Sequence, residues 1–289
     1  MKIAAVVILY QPDDTVIDNI KSYYNYVDKI FAIDNSEKDS SLRESLRDLS
    51  KIEFFQDFEN KGIANRLNFA CNLAIDQHFE WIMTMDQDSN FHEDVISSYY
   101  RCFHQYPHKE KVAAFGTKHS RKVKTKLLEC EPLQVEDLMT SGTLLNLSLF
   151  GEIKGFDEAL FIDYVDNDYC IRSVMAGYSV IKFNNISILH QLGNPVYRSS
   201  IKTLFLVKKR KFIHSPLRCY YMYRNMLYLE QKYKETNRKF AKETRMHIKA
   251  RIKVCMLYGG EFFKILKYIK LAKADFKNNR MGKIQHKLY

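Results

Sequence analysis

Along the first two thirds of the chain, apolar residues fall into short continuous runs that alternate with stretches of helical spacing. The run from Lys2 to Tyr10 has the character of a parallel strand buried on both faces, and Gln11-Pro12 ends it. From Asp13 to Val27 the positions Val16, Ile20, Tyr23, Tyr24 and Val27 follow an i, i+3, i+4 pattern and predict a helix, with Asp13 or Asp14 available as its cap. Further strands are expected at Lys29 to Ile33, closing on Asp34-Asn35-Ser36; at Ile52 to Gln56, ahead of Asn60-Lys61-Gly62; and at Trp81 to Met85. A short helix over Ser40 to Leu49 and a longer one from Ile63 to His78 separate them. This alternation predicts an α/β fold with a doubly wound, largely parallel sheet.

The pattern continues with a helix over Glu93 to Tyr106 and a short strand at Val112 to Phe115. Lys118 to Lys126 is basic and has no apolar period, which predicts an exposed loop. Leu133 to Leu147 is mixed and contains Met139-Thr140-Ser141-Gly142-Thr143, a strand broken by a glycine. An acidic cluster, Asp163 to Asp168, runs into a helix ending at Ala176-Gly177, and Ser179 to Phe183 and Ile186 to His190 read as two closing strands. Beyond Pro195 the composition turns to Tyr, Lys, Arg and Met with long helical patterns. The expected organisation is a catalytic domain over 1–200, with halves of about 1–115 and 116–200, and a basic helical region over 201–289.

With 289 residues, 46% of them hydrophobic, the chain can bury a full core, and disorder is not the default expectation. The net charge of +11 conceals a division. From residue 201 onward there are 24 lysines and arginines against 5 acids, whereas residues 1–200 are net acidic. Six scattered cysteines without a Cys-x-x-Cys pair fit reduced thiols in a cytosol better than a disulfide frame or a zinc site. The apolar N-terminus is short and lacks a small-residue cleavage site, so it reads as a first strand rather than a signal peptide. No stretch reaches the roughly 18 to 20 apolar residues of a membrane span.

The strand Trp81 to Met85 ends in Asp86-Gln87-Asp88. In an open α/β sheet, ligands collect outside the carboxyl ends of the strands, so these two acids would sit at the crevice. Hard oxygen ligands on a short turn suit Mg²⁺ or Mn²⁺ carrying a diphosphate, because such ions fill their remaining positions with phosphate and water. The competing reading of Asp-x-Asp is a solvated turn or helix cap. Asn60-Lys61-Gly62 precedes a helix whose free amides could receive a phosphate or cap a turn.

The ordered set Asp34-Asn35-Ser36, Asn60-Lys61-Gly62-Ile63-Ala64-Asn65-Arg66-Leu67-Asn68, Asp86-Gln87-Asp88, Ser141-Gly142-Thr143, Gly155-Phe156-Asp157-Glu158 and Asp166-Asn167-Asp168 with Arg172 resembles glycosyltransferase family 2. Phe161 to Asp166, His190-Gln191-Leu192-Gly193, His214-Ser215-Pro216 and Arg218 to Asn225 look like its bacterial rhamnosyltransferase branch. The resemblance spans about residues 3 to 225. It implies a GT-A fold, an inverting reaction, a nucleotide-diphosphate sugar donor, dTDP-rhamnose or alternatively a UDP-sugar, and Mn²⁺ or Mg²⁺ as cofactor. It further implies Asp88 and His190 as metal ligands, and donor contacts from Tyr10, Asp34, Asn60, Gly62, Asn65, Asp86, Gln87, Arg218 and Arg224. Asp163, Ser141 and Gly142 would lie on the acceptor side. Many relatives have Glu-Asp where this chain has Val165-Asp166, so the first carboxylate of that pair is absent here.

Inverting transfer needs a carboxylate to take the proton of the acceptor hydroxyl, and matching onto the retained acid assigns that role to Asp166. Asp168 then caps the helix or pairs with Arg172 at i+4. The alternative is that the whole cluster merely caps and solvates a helix start. From Phe240 to Lys287, apolar residues interleave with lysines in a basic amphipathic pattern. It suits an anionic membrane surface and a saccharide or lipid-linked oligosaccharide acceptor, with the enzyme cytoplasmic and peripheral at the inner face of the plasma membrane. A solvated helical hairpin is the plain alternative. A nucleic-acid-binding protein is the rival class. The chain carries no recognisable reading module and its first 200 residues would repel a phosphate backbone, so nucleic acid is not expected as a partner.

Overall fold

The computed structural model describes residues 1–40, 42–120, 129–190, 196–199 and 208–285, and the chain divides into two compact units. The first comprises Met1–Glu158 with Tyr164–Gln191, the second Ala159–Asp163 with Leu192–Tyr289.

Four strands of the first unit are parallel neighbours in the order β3 (Ile52–Gln56), β2 (Lys29–Asp34), β1 (Ile3–Leu9), β4 (Trp81–Asp86). Every residue of β1 is buried, as its continuous apolar run requires of a central parallel strand. Because β2 lies on one side of β1 and β4 on the other, the chain reverses its winding between β1 and β4. A crevice opens outside the carboxyl ends of strands at such a switch point.

Helix α1 (Thr15–Tyr24) buries Val16, Ile20 and Tyr23, the positions its periodicity marks. A short helix α2 (Leu42–Arg47) precedes β3, and α3 (Ile63–Asp76) packs on β1, β2 and β4. Beyond β4 come the two-residue β5 (Ser89–Asn90), α4 (Glu93–Gln105), β6 (Val112–Ser120), β7 (Pro132–Gln134), β8 (Thr143–Asn146), α5 (Leu147–Ile153), α6 (Val165–Met175) and β9 (Ser179–His190).

The sheet is less uniformly parallel than the alternation suggests. It continues β4-β8-β6-β9-β5, with β7 also on β9; β6 and β9 are parallel, while β8, β5 and β7 run antiparallel to their neighbours. Strand β8 enters from the carboxyl end of β4, where the Gly142 amide donates to the Thr84 carbonyl at 2.8 Å, and so must run against it. Gly142 lies in the turn ahead of β8 rather than inside a strand. The two expected closing strands are a single β9, whose register with β6 slips between Thr117↔Phe183 and Lys118↔Ser187. Part of the expected basic loop, Lys118 to Ser120, belongs to β6, and 121–128 lie outside the described residues.

The cysteine reading is corrected. Cys102, in the last turn of α4, is disulfide-bonded to Cys130, while Cys71, Cys170, Cys219 and Cys255 are free and buried. The two partners are 28 residues apart and are brought together because α4 and β7 both pack against β9. No short spacing announces such a pair.

In the second unit, α7 (Pro216–Tyr233), α8 (Arg238–Tyr258) and α9 (Phe262–Lys277) pack on one another. Pro216 opens α7, and the Ser215 side chain accepts from the Arg218 amide; Asn237 caps α8 in the same way. An antiparallel pair, β10 (Val196–Ser199) and β11 (Lys208–Lys211), is present in a region expected to be helical. The run Lys-Lys-Arg-Lys carries no apolar alternation that would mark it as a strand. No helix among the described residues is long and apolar enough to cross a membrane.

The segment Ala159–Asp163 is bedded in this second unit. Phe161 stacks on Tyr221 with ring centroids 4.9 Å apart, and Asn225 Nδ2 donates to the carbonyls of Leu160, Ile162 and Asp163 at 2.8, 2.8 and 3.0 Å. Phe161 and Asp163 have φ of 56° and 67°, left-handed values that bulky residues hold only where neighbours over-determine them.

Candidate active site

The ends of β2, β1 and β4 are tied into one continuous edge. The Asn35 amide donates to the Leu9 carbonyl and the Gln11 amide to Ser36 Oγ, both joining β2 to β1. Gln87 joins β1 to β4, since the Tyr10 amide donates to its Oε1 at 2.7 Å and its Nε2 donates to the Tyr10 carbonyl at 3.2 Å. The middle residue of Asp86-Gln87-Asp88 thus faces along the sheet edge, leaving the acids on either side half-buried at the switch point. Asn19 of α1 braces the same turn, donating to the Gln87 carbonyl and accepting from Asn90 Nδ2, each at 2.8 Å.

A second connection runs from Asp86 to Asp166 through two successive residues. The Asp86 amide donates to Ser141 Oγ at 3.1 Å, while the Thr140 amide donates to Asp166 Oδ2 at 3.1 Å. Asp166 also accepts from the Asn167 amide at 2.9 Å, and it sits half-buried in the first turn of α6. The Thr140-Ser141 segment is itself stapled to β4 through Thr84 Oγ1, which donates to the Thr140 carbonyl. Gly142 completes the turn with φ +76°, and a Cβ there would meet Thr117 Oγ1 at 3.0 Å and Ile188 at 3.1 Å. Ser141 and Gly142, expected on the acceptor side, are both buried. Ser141 turns its hydroxyl inward, where it accepts from the Asp86 amide.

Asp34 is fully buried, with its carboxylate accepting from the Ser36 amide at 2.9 Å and from Gln56 Nε2 at 3.2 Å, the arrangement of a turn cap. Asn60 accepts from Asn35 Nδ2 and from the Gly62 amide, and Gly62 is the N-cap of α3. Behind them lies a clasp that the motifs do not announce. Arg66 is only 5% exposed, reaches Asn35 Oδ1 through Nε at 2.9 Å and holds the Asp57 carboxylate with both terminal nitrogens. The Arg66 guanidinium beside it, assisted by Lys61, keeps the Asp57 carboxyl well below the usual carboxylate range.

Asn65 and Asn68 donate to the two oxygens of Glu158, each at 2.9 Å, and Asn68 also brackets Phe156. Asn65, expected to touch the donor, therefore fastens Gly155-Phe156-Asp157-Glu158 to α3. Gly155 has φ +56°, and a Cβ would come within 2.8 Å of Asn68 Oδ1. Asp168 is fully buried and pairs with Arg172 Nε at 2.8 Å, the expected i, i+4 partner; Arg172 also donates to the carbonyls of Ile153 and Gly155.

Of the remaining expected contacts, Asp163, Arg218 and Arg224 belong to the second unit and His190 to β9. In the second unit, Asp163 pairs with Arg218 at 2.9 Å. Arg224, expected with Arg218 to contact the donor, is fully buried. Its guanidinium lies over the rings of Tyr220 and Tyr221 and donates to the Gly282 carbonyl at 2.6 Å, so it serves that unit's interior. The backbone of His190 pairs with Ser89, the residue after Asp88, while its side chain, like Gln191-Leu192-Gly193, lies outside what is described.

The oxygens of Asp86 and Asp88 fit a hard divalent cation that draws its other ligands from phosphate and water. No cluster of three His, Cys, Asp or Glu groups among the described residues forms a closed protein cage for such an ion.

Residues 6–128 match the family model described as glycosyl transferase family 2. The chain is 26% identical over 254 residues to a dTDP-rhamnosyl transferase, RfbF, of Shigella flexneri, with 80% of each chain covered. Among solved structures it resembles S. aureus TarS 1-349 in complex with UDP-GlcNAc (TM-score 0.51, 11% identity, 97% of this chain and 93% of that one). It also resembles GalNAc-T7 with UDP, GalNAc and Mn²⁺ (TM-score 0.52, 10% identity), matching 66% of this chain and only 44% of that one. At such identities the structural likeness speaks for the fold. The chain is similar to glycosyl transferase family 2 over residues 6–128, has a GT-A-type α/β fold and is a glycosyltransferase.

Proposed function

We propose that the protein transfers L-rhamnose from dTDP-rhamnose, with inversion, to a saccharide acceptor that is lipid-linked and belongs to bacterial cell-surface polysaccharide synthesis. The observation that carries the reaction type is the Thr140-Ser141 link, in which one residue holds the backbone of Asp86 and its neighbour holds the carboxylate of Asp166. An acid for the donor diphosphate and an acid for the acceptor proton are thereby set on one rigid segment. The sugar rests on the RfbF relative's name.

In this reading the acceptor hydroxyl oxygen attacks the anomeric carbon, the bond from that carbon to the diphosphate breaks, and Asp166 takes the hydroxyl proton. Asp86 and Asp88 would hold Mg²⁺ or Mn²⁺, which when bound stabilises the charge gathering on the departing diphosphate. Gln87 and Asn19 keep the turn that carries these acids from moving as that charge develops. The basic second unit would rest on an anionic membrane surface, where a lipid-linked acceptor is presented.

Incubation with dTDP-rhamnose, UDP-galactofuranose and UDP-hexoses, following nucleotide diphosphate release with and without acceptor, tests the assignment. Release from dTDP-rhamnose alone supports it. Release only from a UDP-sugar would favour the second reading, a UDP-sugar donor in the same site, to which the nucleotide bound to TarS and GalNAc-T7 lends some weight.

A further inference from the structure

Within the second unit, one end of the helical bundle carries an unusual concentration of exposed apolar side chains. The start of α7, the end of α8 and the start of α9 meet there: the His214 amide lies 3.3 Å from Cys255 Sγ, and Lys211 Nζ lies 5.2 Å over the Tyr258 ring. Leu257 is 60% exposed, Phe262 40% and Phe263 78%, on either side of the Gly259-Gly260 turn. Phe212 and Leu217 add further exposed surface at this same end. Met246, also exposed, lies in the middle of α8, three turns from Leu257.

The charge around the turn is one-sided. Between residues 249 and 270 the exposed cations are Lys249, Arg251, Lys253, Lys264, Lys267 and Lys270, against the single acid Glu261, which pairs with Lys264 at 3.2 Å. Keeping Phe263 and Leu257 in water forgoes the favourable free energy that burying their exposed apolar surface would release. A grouped set of such residues marks an interaction surface. Apolar side chains at a helix–helix turn, ringed by lysines, match an interface with acyl chains below and anionic headgroups beside them. Leu217 and Leu257 offer no ring for the base stacking by which single-stranded nucleic acid is held, whereas acyl chains accept leucine and phenylalanine alike.

We infer that the α8–α9 turn is the insertion point of the protein into an anionic phospholipid bilayer, with Leu257, Phe262 and Phe263 entering the acyl boundary and the flanking lysines meeting the headgroups. This rests on the membrane-surface part of the proposed function and names the side chains responsible.

The test is co-sedimentation of the full chain with phosphatidylcholine vesicles, with and without a minority of phosphatidylglycerol. The parent should bind the anionic vesicles and not the neutral ones. The double variant Phe262→Ser/Phe263→Ser should lower the partition coefficient at least about tenfold, and Met246→Ser, an equally exposed residue of α8, should leave it unchanged. All three proteins should share one melting temperature and one rate of donor turnover in detergent-free solution. Binding retained by the double variant overturns the inference and leaves membrane association standing through charge alone. Absence of anionic-vesicle binding by the parent overturns both. Retention of the parent on single-stranded oligonucleotide in place of vesicles, lost equally in the double variant, would assign the surface to nucleic acid and overturn the inference as well.

Discussion

Replacing Asp166 by asparagine separates its chemical role from its structural one, because the two draw on different atoms. Asp166 accepts from the Thr140 amide at one oxygen and from the Asn167 amide at the other. Asparagine has a single acceptor oxygen, so one of these half-buried donors must face an NH₂ group. Leaving it unmatched costs about 1–3 kcal/mol of stability. The same substitution removes the proposed base, which should lower turnover by about two to four powers of ten, or roughly 3–5 kcal/mol of barrier.

The assay is single-turnover transfer, run beside calorimetric binding of donor with Mn²⁺ and a urea unfolding curve. The expected pattern is a large fall in rate, near-normal donor affinity and a modest loss of stability. The structure also sorts the controls. Asp163→Asn weakens a pair whose arginine is 45% exposed, worth about 0–1 kcal/mol. Asp168→Asn breaks a pair whose carboxylate is fully buried and whose arginine is 19% exposed, and should cost about 3 kcal/mol, so it reports on folding before chemistry. If Asp166→Asn transfers at the parent's rate while Asp163→Asn is dead, the base is Asp163. If all three remain active, the cluster is a helix cap and the proton acceptor lies elsewhere.

Asp88→Ala should abolish Mn²⁺-dependent donor binding with an unchanged melting temperature, and unaltered calorimetric binding would remove Asp88 from the metal site. Ser141→Ala deletes the acceptor of the Asp86 amide, and should cost about 1 kcal/mol of stability together with a weaker Mn²⁺ requirement curve; an unshifted curve would disconnect Ser141 from the acids. Arg66→Met should destabilise by about 2 kcal/mol at neutral pH. Because the Asp57 carboxyl is depressed in the fold, its share is present above the ordinary carboxylate value of about 4 and is lost as pH falls through the lowered one. The gap between parent and variant, read from urea curves, should therefore narrow on acidification below pH 4, and a constant gap would contradict the clasp. Alkylation of the denatured, unreduced chain should label four thiols, and six would show that Cys102 and Cys130 are not joined.

What could be read without the structure was whatever depends on neighbours in sequence. The apolar run before Asp86 places the two acids at a sheet edge, and the bounds of β3 match its expected limits. Asp168 with Arg172 was legible because helical geometry ties positions i and i+4. What escaped depends on residues that only the fold brings together. Gln87 meets Tyr10 across 77 residues, Thr140 meets Asp166 across 26, and Arg66 meets Asn35 across 31. The buried state of Arg224 escaped for a related reason: its i−4 neighbour Tyr220 could be seen to share a helix face, but not that the face turns inward onto Asp275 and Gly282. Strand β11 carried no signal at all, since four consecutive cations offer no alternation.

The clamp that Asn225 places on Leu160, Ile162 and Asp163 has a consequence for the order in which the protein can mature on the ribosome. The three carbonyls are synthesised 62 to 65 residues before the side chain that receives them. At about 5–20 residues per second, that is a delay of roughly 3 to 13 seconds. During this interval Phe161 and Asp163 have nothing to hold them in left-handed backbone. The nascent sheet is complete through β9 by then, yet the stretch leading into Asp166 acquires its shape only once α7 has emerged. Chains stalled before α7 should therefore expose the stretch around residue 161 to protease while β1 to β4 are already protected.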